Sequence, residues 1–105
     1  MAKFNKTDYF EAWLAKLKDD RAKQRIAERI DYAEAGNFGD CESVGDGISE
    51  MKIHYGPGYR LYYCQRGATL YLLLIGGGKG TKKAQTSDIR RAKAIKKEIE
   101  EGDKW

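Results

Sequence analysis

At Ile48 the apolar period of this chain changes from that of a helix to two, and the change orders its elements. Before it, Phe10, Trp13, Leu14 and Leu17 recur at helical spacing behind Thr7, a good N-cap. Asp19-Asp20 interrupts the pattern. A second stripe follows through Ala22, Ile26, Ile30 and Ala33, and Gly36-Asn37 supplies its stop. Two helices parted by a short polar break read as a helical hairpin. Gly36 to Gly47 holds four glycines among polar residues and reads as a loop. Beyond it, Met51, Ile53 and Tyr55 alternate with Glu50, Lys52 and His54. After Gly56-Pro57-Gly58, Tyr59, Leu61 and Tyr63 alternate with Arg60, Tyr62 and Cys64. Arg66-Gly67 marks another turn, and Thr69 to Ile75 a third strand. After a basic loop, Thr86 or Ser87 can cap a last helix striped by Ile89, Ala92, Ile95 and Ile99. The expectation is one α+β domain over residues 1–105. A helical hairpin packs on a small twisted antiparallel sheet, with a C-terminal helix. Residues before Thr7 offer an extra edge strand.

A chain of 105 residues buries roughly two thirds of its unfolded surface, enough for one core. The net charge is +4, but its placement says more. Between Lys79 and Lys97 stand eight basic residues and one acid, Asp88. Such a cluster suits a polyanion, since each phosphate contact releases a condensed counterion; the alternative is a solvated helix face. Cys41 and Cys64 are far apart and lack metal-ligand spacing. Met1 to Thr7 has no apolar run, and Leu70 to Ile75, the longest apolar stretch, is strand-sized. The expectation is reduced thiols, a cytoplasmic location and no membrane span. With one histidine and two separated cysteines, no metal site or cofactor is expected. Gly76 to Thr81 lacks the leading glycine of a phosphate-binding loop.

If Gly56-Pro57-Gly58 is a three-residue hairpin loop, His54 opposes Arg60, Ile53 opposes Leu61 and Lys52 opposes Tyr62. If Arg66-Gly67 is a two-residue loop, Tyr62 opposes Tyr71. One face then carries Met51, Ile53, Leu61, Tyr63, Leu70, Leu72 and Leu74, for the helical hairpin to cover. The other carries Lys52, His54, Arg60, Tyr62 and Tyr71, flanked by a loop with Lys79, Lys82 and Lys83.

That second face has the parts for cutting RNA without metal. The reaction needs a base for the 2′-hydroxyl, cations for the phosphorane and an acid for the leaving 5′-oxygen. His54 is the only histidine, the residue type that ordinarily titrates near neutrality. Arg60 offers a guanidinium fork and Lys52 a second cation. These three are the candidate catalytic residues. Tyr62 and Tyr71 can stack on bases. With Lys79, Lys82, Lys83 and Gln85 they make the candidate RNA-binding set. No second histidine or obvious carboxylate completes an acid–base pair.

Three segments carry a resemblance: Phe10 to Arg29, GNFGDCESVGDGISEMKIHYGPGYRLYY from Gly36 to Tyr63, and LLLIGGGKGTKKAQTSDIRRAKAI from Leu72 to Ile95. The chain resembles the RelE/ParE superfamily, in its HigB-like "addiction module killer protein" branch. The resemblance implies a RelE-like fold and a type II toxin. Such a toxin is neutralised by a cognate antitoxin and cleaves mRNA on the ribosome. It places Arg60 at the hairpin arginine that contributes to cleavage, and Lys52 and His54 at the preceding strand positions if the loop is one residue shorter here. Lys79 falls near a further basic position. Two departures stand out: Gln85 to Asp88 lacks the downstream tyrosine of RelE, and Gly77-Gly78-Lys79 lacks the branch's acid. They leave His54 as general base, weak cleavage, or different chemistry.

Three functions follow as expectations: a ribosome-dependent endoribonuclease, a ParE-like non-enzymatic inhibitor of DNA gyrase, and a basic RNA-binding module without catalysis. The partners implied are an antitoxin, mRNA and the ribosome. The antitoxin is expected on the helical hairpin and the rim of the basic face.

Overall fold

The computed structural model describes residues 2–78 and 80–102, which form three helices and a five-stranded mixed sheet. The two apolar stripes become α1 (Asp8–Lys16) and α2 (Asp20–Glu34). Thr7 caps α1 as its spacing predicts: Oγ1 accepts the Phe10 N–H at 3.0 Å and donates to Leu74 O at 2.7 Å. The Asp19 carboxylate caps α2 by accepting the Arg21 and Ala22 N–H groups.

The strands are β1 (Lys3–Lys6), β2 (Cys41–Gly45), β3 (Ile48–Ile53), β4 (Tyr59–Arg66) and β5 (Leu70–Gly78), in the order β1-β5-β4-β3-β2. β1 is the edge strand foreshadowed before Thr7, and it runs parallel to β5. The other pairs are antiparallel. Within the expected loop from Gly36 to Gly47 the chain forms β2. Its glycines had argued against a strand, but only Gly45 falls inside it, beside a register shift.

Both hairpin registers differ from expectation. The first loop takes five residues, because its turn starts at Tyr55, whose carbonyl accepts the Gly58 N–H at 2.9 Å. Arg60 therefore opposes Lys52, not His54, and Glu50 opposes Tyr62. The shift keeps parity, so β3 and β4 present the faces expected. The second turn holds three residues, with Arg66 opposite Leu70, which inverts β5. A second shift falls at Tyr62/Tyr63.

Each face of the sheet has its own core. Phe10, Ile26 and Ile30 pack on Met51, Ile53, Leu61, Tyr63 and Leu73, so the helical hairpin covers the face expected of it. Leu72 and Leu74, assigned to that face from sequence, lie on the opposite one. There they meet Ile48, Tyr62 and Cys64 under α3 (Lys82–Gly102), through Ala92, Ile95 and Ile99. That face is covered, not open. α3 also starts one turn earlier than a Thr86 or Ser87 cap allows: the Thr81 hydroxyl accepts the Ala84 N–H at 3.1 Å. Cys41 and Cys64 are free thiols.

Candidate functional site

Two backbone features bring the exposed polar group together. The Asp40 carbonyl accepts the Lys52 N–H at 2.9 Å, extending the β2–β3 ladder by a residue. Arg29, on α2, donates to Phe38 O at 3.0 Å and to Lys52 O at 3.2 Å, stapling the chain before β2 to the end of β3. Gly39 passes against this guanidinium with φ +66, where a Cβ would collide with it. Asp40 is thereby set beside His54, and its Oδ2 lies 2.7 Å from Nε2. The hydrogen bond from His54 holds the Asp40 carboxyl below its ordinary range. Both side chains are more than half exposed. Two residues back, Lys52 Nζ lies 3.4 Å from Glu42 Oε2 on β2.

A second group is enclosed beneath α3. Glu50 is fully buried, and its Oε2 accepts the Tyr62 hydroxyl at 3.0 Å and the Gln85 amide at 2.8 Å. Arg60 Nε lies 3.6 Å from the same oxygen, an ion contact too long for a hydrogen bond. The Arg60 side chain is only 13% exposed. Among the described residues, its Nε and Nη1 and Glu50 Oε1 have no hydrogen-bond partner. Burial, with Glu50 adding to it, pushes the Tyr62 hydroxyl far up. Burial likewise raises Asp88, whose carboxylate packs against Gly77.

The family model described as Phage derived protein Gp49-like (DUF891) matches residues 12–97. The chain belongs to the Gp49-like family. This family is of the RelE/Gp49 toxin type and is associated with toxin–antitoxin modules. A Haemophilus influenzae protein described as "Uncharacterized protein" is 47% identical over 90 residues, which cover 86% of this chain and 88% of that one.

In this Gp49-like protein the expected catalytic trio is divided. Lys52 and Arg60 are cross-strand neighbours, whereas His54 lies past the end of β3, paired to Asp40. Arg60 is not the open fork expected of it, because α3 covers it. Tyr62 is sealed under α3 and cannot stack on a base. Tyr71 is on the wrong face, because the longer second turn inverts β5. It stacks on Phe4, with ring centroids 5.0 Å apart, and packs against Phe38 and Tyr63. Gln85 reaches Glu50 instead of solvent. Lys82 and Lys83 are exposed on the first turn of α3, not in a loop. Lys79 lies outside the described residues.

The carboxylates were missed in sequence. Asp40 sits in the GNFGD motif, which read as loop, and Glu50 alternates in step with Lys52 and His54 on β3. Their spacing was the available signal. Among the described residues, no helix is long and apolar enough to cross a membrane. A cleft of about 710 Å³ beside Thr7, Tyr9 and Glu98 has none of these site residues in its lining.

Proposed function

We propose that this Gp49-like protein is the toxin of a type II toxin–antitoxin pair, of the HigB-like kind, and stops translation by cutting mRNA on the ribosome. The observation that carries the reading is the exposed His54–Asp40 pair beside Lys52. With Nε2–H donating to Asp40, a neutral imidazole keeps its lone pair on Nδ1, free to accept a proton. Nδ1 takes the proton of a substrate 2′-hydroxyl. The 2′-oxygen then attacks the adjacent phosphorus, and the bond to the 5′-oxygen breaks. The products are a 2′,3′-cyclic phosphate and a 5′-hydroxyl. The Lys52 ammonium supplies the proton to the leaving oxygen and offsets charge on the phosphorane. Arg60 adds a fixed positive charge from beneath, across the strand from Lys52. Lys82 and Lys83, exposed at the start of α3, hold flanking phosphates, with Lys79 beside them in sequence.

The test is induced expression in bacteria of the wild type beside His54→Ala and Arg60→Lys, scoring growth and mapping mRNA 5′ ends. Growth arrest with mRNA breaks that vanish in His54→Ala supports the nuclease. Arrest that persists in the variants with mRNA intact transfers the assignment to gyrase. Unimpaired growth with RNA still bound leaves a plain binding module.

A further inference from the structure

A groove of about 400 Å³ runs from the His54–Asp40 pair across α2. Its helical wall is one face of α2, where Arg25, Arg29 and Tyr32 follow at three- to four-residue spacing. The other wall is Asn37 to Asp40 and the end of β3. Tyr32 is 55% exposed, one of two large aromatic side chains left bare among the described residues. Asn37 is exposed beside it, tied there by its own N–H, which donates to Tyr32 O at 2.8 Å. Arg25 lies over the Tyr55 ring, 5.4 Å from its centroid. Arg29 is spent on the two carbonyls it staples. Glu28, in the same lining, disfavours phosphate beside it.

An exposed aromatic face, a side-chain amide and flanking cations are what a single-stranded nucleotide needs: a platform, an edge reader and charge for its phosphates. We propose that this groove holds the base next to the scissile phosphate. Tyr32 stacks on it, Asn37 reads its edge and Arg25 meets the following phosphate. The proposal rests on the mRNA-cutting reading and gives it a specificity-determining subsite. His54 and Asp40 line the same groove as Tyr32, so a base lodged against Tyr32 brings its own phosphodiester towards the imidazole.

The experiment induces wild type, Tyr32→Ala, Tyr32→Phe, Asn37→Ala and His54→Ala in bacteria and maps mRNA 5′ ends at nucleotide resolution. Losing one stacked base lowers cutting roughly 5- to 150-fold in Tyr32→Ala, and Tyr32→Phe, which keeps the ring, restores it. Asn37→Ala cuts with a flattened base preference at one position beside the break. A merely destabilised protein lowers all sites alike and leaves that preference unchanged. If His54→Ala abolishes breaks while the Tyr32 and Asn37 variants match wild type in rate and preference, the subsite is overturned and the nuclease stands. If the wild type makes no breaks, both fall.

Discussion

Glu50 lies diagonally across the β3–β4 pair from Arg60, its Oε2 3.6 Å from the guanidinium Nε, and both are enclosed beneath α3. Tyr62 and Gln85 complete the shell around that oxygen. A buried charge pair of this kind costs little when whole and much when halved, because the survivor keeps its desolvation penalty. Glu50→Ala is expected to destabilise the fold by about 3–5 kcal/mol, read from urea unfolding, and Glu50→Gln by less. Arg60→Ala strands the carboxylate in the same way. Its loss of toxicity would report folding as well as chemistry, and the Glu50→Gln/Arg60→Met double variant separates the two.

On the proposed chemistry, His54→Ala removes the general base, and RNA cleavage falls about 10²- to 10⁴-fold, while the fold loses no more than the exposed hydrogen bond to Asp40 contributes. Asp40→Asn has a smaller effect on rate, because it orients the imidazole without touching substrate. Single-turnover cleavage on programmed ribosomes measures both. Equal rates in all three proteins would remove the pair from the reaction.

The two shifted aspartates act on stability with opposite signs. Asp40 is held low, so its contribution is present above the ordinary carboxylate value near 3.9 and is lost as pH falls through its lower folded value. Asp88 is raised by burial, so its contribution is present below that ordinary value and is lost as pH rises through its higher folded value. At pH 7, Asp40→Asn is therefore expected to be less stable than wild type and Asp88→Asn more stable. Both differences shrink in acid. Urea midpoints at pH 7 and pH 3 check the two signs.

Three consecutive glycines end β5, and they are not equivalent. A Cβ on Gly76 would run into the Trp13 ring, whereas Gly78 has open space around it. Gly76→Ala is expected to cost about 1–3 kcal/mol through overpacking, and Gly78→Ala much less. Thermal unfolding of the two variants gives the comparison directly.

Cys64 is buried under α3, and burial pushes its thiol up to about 11. In native protein at pH 8 it should resist a disulfide reagent, whereas half-buried Cys41 is within reach. Guanidinium should release the second thiol. Two equivalents reacting rapidly without denaturant would contradict the burial of Cys64.

The helices and central strands were legible because their signals are local. Apolar spacing marked α1 and α2, Thr7 marked the first cap, and alternation marked β3 and β4. Registers were not legible, because each depends on where a turn closes. The bond from Gly58 to Tyr55 lengthened the first loop by two residues, and one extra turn residue moved Tyr71 to the other face. Site geometry failed for a related reason. The cover that α3 places over Arg60 and Tyr62 is tertiary, and so is the Arg29 staple that brings Asp40 to His54. Type and face single out Lys52, His54 and Arg60 in the sequence, but not the groups they pair with, Glu42, Asp40 and Glu50.

The parallel pairing of β1 with β5 joins residues 3–6 to residues 70–73, and this sets the timing of the molecule's own birth. β1 has no partner in the sheet until β5 has followed it from the ribosome. α3, which seals the second core, comes later still. Contacts this distant in sequence close late and together. A growing chain therefore carries Glu50 and Arg60 uncovered until α3 has followed them.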